Sequence, residues 1–155
     1  MVHGTPVHLS PRRSPSRHPL STRTTYAELH AHSNHSLLDG VPSPEALAVR
    51  AANLGIPALA LTDHDALYGA ARFAKAAHDV GVKPLLGSEM TLQDGSHLIL
   101  LVENSQGYAN LCRLITLARR GQEKGVAQLD KRLLAAHHEG LIALSGCRRG
   151  EIPRL

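Results

Sequence analysis

Residues 28–39 read Glu-Leu-His-Ala-His-Ser-Asn-His-Ser-Leu-Leu-Asp. His30 and His32 alternate along the chain, so on a strand both imidazoles leave the same face. A second phrase, Leu-Thr-Asp-His-Asp at 61–65, ends another apolar run and contributes His64. Imidazole and carboxylate ligands together suit zinc, manganese or iron. The two phrases therefore predict a metal site.

From residue 26 onward, the chain alternates between segments with strand patterns and segments with helix patterns. A serine N-cap at Ser43, a proline at the first helical position and a stop at Gly55 define the first helix. Asp94-Gly95 predicts a hairpin turn. Repeated β–α units indicate an α/β domain of about five strands. The predicted strands are 26–32, 57–62, 82–88, 97–102 and 141–145, and the predicted helices are 44–54, 67–80, 108–120 and about 129–138.

The first 25 residues have a different composition from the rest. They are rich in Pro, Ser, Thr, Arg and His without an apolar period, which predicts a disordered tail at 1–25 and a folded domain at 26–155. Four of the 17 Lys and Arg residues lie in this tail, which holds no acid, so 13 basic residues balance 13 acidic ones elsewhere. Overall charge thus gives no indication of a nucleic-acid-binding face. The tail is an upstream extension, a start assigned too far upstream, or a basic arm that touches nucleic acid.

Cysteine content and hydropathy bear on location. The two cysteines, Cys112 and Cys147, imply no disulfide framework and favour a reducing, cytoplasmic setting. No apolar run approaches the roughly 20 residues of a membrane span.

Residues of the types that bind metals recur at the ends of predicted strands. In barrels of β–α units, reactive groups cluster at the carboxyl ends of the strands. The hairpin can bring the start of the fourth strand to the same end. Each residue has an ordinary alternative, such as a turn aspartate, a solvated acid, a surface histidine or a small buried cysteine. The candidates are His30, His32, Asp39, His64, Glu89, His97 and Cys147.

Neighbouring polar residues have other predicted roles. Asp63 and Asp65 flank His64, and orientation of an imidazole is expected of one of them. His35 lies between the histidine pair and Asp39 and is expected to be exposed. Cys112 lies on the apolar face of a predicted helix, which favours a place in the core.

These motifs together resemble the polymerase-and-histidinol-phosphatase (PHP) domain. His-x-His, Leu-Leu-Asp-Gly, Thr-Asp-His-Asp, Gly-Ser-Glu-Met and Leu-Ser-Gly-Cys occur in the order of the form at the amino terminus of bacterial DNA polymerase III alpha subunits. Residues 26–30 and 146–153 are more similar to the error-prone paralogue, which serves damage-induced mutagenesis and synthesis past lesions, than to the replicative subunit. The resemblance covers residues 26–155.

The resemblance implies a distorted (β/α)7 barrel whose site holds up to three metal ions, here zinc or manganese, in nine ligands. Seven of those roles fall on the seven candidates named above. The remaining Asp-x-His pair has no counterpart, and the family usually has an aromatic residue at the position of His35. Five strands cannot close a seven-stranded barrel, so we expect an incomplete barrel and a truncated sequence. Fewer than three metals are then expected.

The resemblance also implies function. The first hypothesis is a metal-dependent phosphoesterase, most specifically a 3′–5′ exonuclease, within a DNA-directed polymerase that binds DNA and accessory subunits. Arg148 or Arg149 would contact a phosphate, unless the pair is simply solvated. The second is a non-catalytic structural module that supports polymerase folding and subunit contacts. The third is a stand-alone phosphatase of the histidinol-phosphate type.

Overall fold

A computed structural model describes residues 26–150 and 152–154. The predicted tail at 1–25 lies outside these residues. In chain order the elements are α1 (Pro44–Asn53), β1 (Ala58–Leu61), α2 (Ala70–Asp79), β2 (Lys83–Thr91), β3 (His97–Val102), α3 (Ser105–Arg119), α4 (Lys131–Ala136), β4 (Leu141–Leu144) and a 3-10 turn (Ile152–Arg154).

The strands form one sheet in the order β1-β2-β3-β4. β1 and β2 are parallel, whereas β2–β3 and β3–β4 are antiparallel. The hairpin predicted at Asp94-Gly95 is confirmed by the second of these pairings. Over the described residues, the sheet has four strands and is not closed, which fits an incomplete barrel.

The first predicted strand, 26–32, is wrong as a strand. Residue Glu28 makes a single parallel bridge to Leu59, and no longer ladder forms there. Side chains take the backbone donors that a ladder would use. The N–H of His30 donates to its neighbour Glu28 Oε1 at 3.0 Å, and the N–H of Ala31 donates to Thr62 Oγ1 at 3.1 Å. The segment is extended beside β1 without being a full member of the sheet.

Helix ends follow local capping chemistry. Ser43 Oγ accepts from the N–H of Ala46 at 3.2 Å, and α1 begins at Pro44 as predicted. Gly55 then takes a φ of +71°, which ends the helix. α3 begins three residues earlier than predicted, because Asn104 caps it by accepting from the N–H of Gly107 at 3.0 Å. α2 and α4 are shorter than predicted.

The core lies on both faces of the sheet. α1 and α2 pack together on one face around Phe73, which is fully buried. α3 packs on the same face, where Leu111 and Leu114 meet Met90, because Met90 and the Leu86 that packs with Phe73 are four residues apart in β2. Ala60, Ile99 and Leu101 form a smaller cluster on the opposite face. β1 and β2 are therefore covered on both faces, as the nearly continuous apolar run at 57–62 predicted.

In the part of the chain that the structure describes, no helix has the length and apolar character needed to cross a membrane.

Candidate metal centre

Glu89 lies at the centre of the candidate site. It lies within β2, which continues to Thr91, so the prediction that Glu89 follows the strand is wrong. Its neighbours in the sheet are Ile99 of β3 on one side and a bridge to His64 on the other. The residue is only 2% exposed. A carboxylate held this firmly in the interior needs partners that offset its burial.

Three imidazoles supply those partners. Glu89 Oε2 contacts His30 Nε2 and lies 3.1 Å from His32 Nε2, while Oε1 contacts His97 Nδ1. Burial by itself raises the pKa of Glu89. The hydrogen bonds with His30, His32 and His97 outweigh burial and hold that pKa well below its ordinary value. The group is therefore a carboxylate with both oxygens directed at ring nitrogens.

His30 and His32 come from the extended segment beside β1. Backbone bonds place this segment: the N–H of Ala60 donates to Glu28 O at 2.8 Å, and the N–H of Thr62 donates to Ala31 O at 2.9 Å. The alternation along the extended chain sends both rings to one side, and their Nε2 atoms lie 2.9 Å apart. The bridge, although short, therefore positions the pair.

His64 and Asp39 extend this cluster of imidazoles. His64 lies three residues beyond the end of β1, and its ring stacks on that of His32 with centroids 4.5 Å apart. Its Nε2 lies 2.8 Å from Asp39 Oδ2. This hydrogen bond, together with the charge of the imidazole, lowers the pKa of Asp39. Asp39 is thus directed at the site from its loop rather than serving only as a turn residue.

His97 is the first residue of β3. The hairpin brings it beside Glu89, as the sequence predicted, and its ring centroid lies 5.5 Å from that of His64. Two groups of potential ligands result, His30–His32–Glu89 and His64–Glu89–His97. In each group, the ligating atoms lie within 4.8 Å of one another. Both groups share Glu89.

A cavity of about 300 Å³ opens over this cluster. Cys147 and Arg149 join its lining from beyond β4, and Cys147 is exposed. The N–H of His97 donates to the carbonyl oxygen of Arg149 at 2.9 Å, which ties this segment to the start of β3. Arg148 is exposed, and it does not line the cavity within the described residues. The other lining residues are His30, His32, Asp39, His64 and Glu89.

The two aspartates that flank His64 have buried roles. Asp63 accepts from the N–H and the hydroxyl of Ser33 and from the hydroxyl of Ser36, each at 2.7 Å. Asp65 accepts from the N–H and hydroxyl of Thr91, each at 2.8 Å. Among the described residues, neither carboxylate bonds an imidazole directly. Asp63 reaches one only through Ser36.

Ser33 and Ser36 were not among the site residues predicted from the sequence. Both are almost fully buried, and both bond the same carboxylate. Their position inside the phrase that carries the histidines was the available signal. His35, expected to be exposed, is half-buried, and its ring lies edge-on to Tyr68 at 6.2 Å, outside the cavity lining.

The donor chemistry fits a divalent transition metal. Neutral imidazole nitrogen and carboxylate oxygen are ligands of zinc and manganese, and an exposed thiol at the rim adds a softer donor. A cation in the cavity would offset the negative charge of the buried carboxylate, and the ring nitrogens around that carboxylate could bind the cation. The described residues therefore suit metal ions, in two groups that share one carboxylate.

Comparison with known proteins assigns the chain a family. The profile of the PHP domain matches residues 28–155. An error-prone DNA polymerase of Symbiobacterium thermophilum is 46% identical over 147 residues, which are 84% of this chain and 14% of that protein. The DNA polymerase III subunit alpha of Chlamydia pneumoniae is 42% identical over 137 residues, 79% of this chain and 11% of that protein. The chain thus spans about one seventh of the length of these relatives or less.

A solved structure gives the same picture of the fold. An amidohydrolase from Chromobacterium violaceum, determined with bound sulfate and no metal, is 33% identical to this chain. It superposes with a TM-score of 0.52 and covers 61% of this chain and 34% of its own.

Proposed function

The chain belongs to the PHP domain family, and from that premise we propose that its metal centre hydrolyses phosphoesters, specifically at the 3′ end of DNA. One observation carries the proposal: the buried carboxylate of Glu89 directs its two oxygens toward separate sets of imidazoles. Two-metal sites of this kind stabilise both the attacking and the leaving oxygen of a phosphoryl displacement.

Two groups of residues that share Glu89 would each hold one metal ion. His30, His32 and Glu89 would hold one ion, and His64, Glu89 and His97 a second. Bound zinc or manganese supplies an activated water at neutral pH and charge that offsets the phosphate. Asp39 and Cys147, at the rim, complete the set of predicted ligands.

Arg149 is the better candidate of the arginine pair for a phosphate contact. It lines the cavity, whereas Arg148 is exposed outside that lining. A guanidinium can donate two parallel hydrogen bonds to phosphate oxygens, which would orient the ester over the metals. The hydrogen bond from the N–H of His97 to the carbonyl oxygen of Arg149 holds the backbone of this arginine beside the cluster.

The experiment measures the release of nucleotides from the labelled 3′ end of a DNA strand in the presence of manganese or zinc. The double substitution His30→Ala with His32→Ala is expected to abolish it. The matched control is His137→Ala with His138→Ala, an adjacent pair beyond α4 and outside the cavity, which should leave the rate unchanged. Full activity in the first double variant would refute the proposal.

A second candidate is a structural module in which metal stabilises the fold. The observation favouring it is that Glu89 joins three distant segments, at His30–His32, His64 and His97, so a cation there would tie them together. Metal removal would then lower thermal stability in a chain without hydrolytic activity. The third possibility, a stand-alone histidinol-phosphate phosphatase, fits less well with the polymerase relatives.

We further propose that the chain represents the amino-terminal PHP region of an error-prone polymerase active in translesion synthesis. The polymerase names belong to relatives of which this chain matches 11–14%. That assignment implies DNA and polymerase accessory subunits as partners, and a cytoplasmic location. Primer extension past an abasic site by the parent protein tests it, and a parent that extends only undamaged template would contradict it.

A further inference from the structure

The two ring nitrogens of His32 face different surroundings. Nδ1 lies 3.1 Å from Ser36 Oγ, on the buried side. Nε2 faces the cavity, 2.9 Å from His30 Nε2 and 3.1 Å from Glu89 Oε2. A neutral imidazole has one N–H and one lone pair, and only the nitrogen with the lone pair can bind a metal. The position of the proton therefore decides whether His32 is a competent ligand on the cavity side.

The hydroxyl of Ser36 has its hydrogen-bonding capacity assigned by its other neighbours. It lies 2.7 Å from Asp63 Oδ1, and a carboxylate oxygen can only accept, so the hydroxyl proton points at Asp63. It also accepts from the backbone N–H of His64 at 3.1 Å. One lone pair remains, and it faces His32 Nδ1. In the metal-free site Nε2 can donate to Glu89 Oε2, 3.1 Å away. A cation bound at Nε2 would replace that proton, so the one N–H of the neutral ring would then be on Nδ1, where Ser36 accepts it. A lone pair on Nδ1 would instead leave two acceptors opposed in a buried place, which is costly.

We propose that Ser36, held by Asp63, fixes His32 in the Nδ1–H tautomer and so presents the Nε2 lone pair to the metal. Ser36 is then a positioning residue, and it acts on the metal centre that the proposed function requires. Its hydroxyl serves both ligand groups, because it orients the ring of His32 and also holds the backbone of His64.

Ser33 provides a matched control. It and Ser36 are both buried, and each donates a hydroxyl hydrogen bond to Asp63 at 2.7 Å. Only Ser36 contacts His32. Each hydroxyl also accepts one backbone N–H, from His35 for Ser33 and from His64 for Ser36. Ser33→Ala and Ser36→Ala therefore remove equivalent bonds from one carboxylate and one acceptor from a backbone N–H each, and in Ser36→Ala the imidazole of His32 also loses its acceptor.

The first test needs no substitution. Two-bond ¹H–¹⁵N correlation NMR on the zinc-loaded chain at about pH 8, above the ordinary pKa of histidine, reports which nitrogen of His32 carries the proton and which binds zinc. The expected result is a protonated Nδ1 and an unprotonated Nε2. Any other protonation pattern of His32 overturns the proposal.

The second test measures metal affinity. In Ser36→Ala, zinc affinity in a competition titration should fall about 10- to 100-fold, as when outer partners of a ligand are lost. Ser33→Ala should retain the Nδ1–H form and bind zinc more tightly than Ser36→Ala. Equal zinc affinities in the two variants would overturn the proposal. A chain with the expected tautomer but no hydrolytic activity would refute only the proposed function.

Discussion

Replacing Gly40 with alanine is expected to destabilise the chain and to displace Asp39 from the site. The reason is steric: a Cβ at this position would lie 1.9 Å from the carbonyl oxygen of Ser33 and 2.4 Å from its carbonyl carbon. Real Cβ atoms essentially never approach another heavy atom closer than 3.0 Å. The loop must therefore open by about 1.1 Å, the difference between 3.0 Å and the 1.9 Å separation from the oxygen of Ser33. The N–H of Gly40 also bonds Ser36 O at 2.9 Å, so the opening disturbs the whole turn.

The size of the effect follows from two opposing contributions. Overpacking of this kind costs about 1–3 kcal/mol. Replacing glycine by alanine restricts the unfolded chain, which returns about 0.4–1 kcal/mol. We expect a net loss of about 1–2 kcal/mol in the free energy of unfolding. A shift of this size in the loop also breaks the 2.8 Å bond from Asp39 to His64, so zinc affinity should fall as well.

Urea unfolding of the 155-residue chain, followed by far-ultraviolet circular dichroism, measures the change. Val41→Ala is the matched control, because Val41 is the next residue and is 89% exposed. Its stability should stay within about 0.5 kcal/mol of the parent chain. A Gly40→Ala chain as stable as the parent, or more stable, would show that the reasoning about the loop is wrong.

Other perturbations test the core, the loop and the site. Phe73→Ala removes a fully buried ring and should cost about 3–5 kcal/mol in urea unfolding; a loss below about 1 kcal/mol would contradict the packing described. Leu38 has a φ of +70°, whereas Leu37 is not among the positive-φ residues, so Leu38→Asn should be more stable than Leu37→Asn by about 1 kcal/mol; equal stabilities would argue against that backbone. Zinc at about 100 times its dissociation constant should raise the free energy of unfolding by about 2.7 kcal/mol, reversibly with a chelator, and Glu89→Gln should lose this gain.

Local signals in the sequence were sufficient for much of the fold. Ser43, Pro44 and Gly55 define the limits of α1 because capping depends only on neighbours along the chain. The turn at Asp94-Gly95 correctly predicted both the hairpin and the place of His97 near Glu89. Because these signals are short-range, they can be read without knowing the tertiary structure.

The errors have long-range causes. The segment at 26–32 has a strand pattern, yet Thr62, about thirty residues away, takes one of its backbone donors. The burial of Ser36 is likewise linked to Asp63, which lies 27 residues further along the chain, beyond β1. The N-cap at Asn104 has a local cause, unlike these errors. It was missed because the apolar period that predicted α3 begins only after it.

The position of Glu89 on an inner strand has a thermodynamic consequence. Because its two oxygens serve different sets of imidazoles, occupation of one set would change the charge and orientation that the other set offers. If binding of the first cation changes the affinity for the second by some factor, binding of the second must change the affinity for the first by the same factor. Loading and loss of the two cations would then be one linked equilibrium, whose coupling can be read from the shape of a single titration.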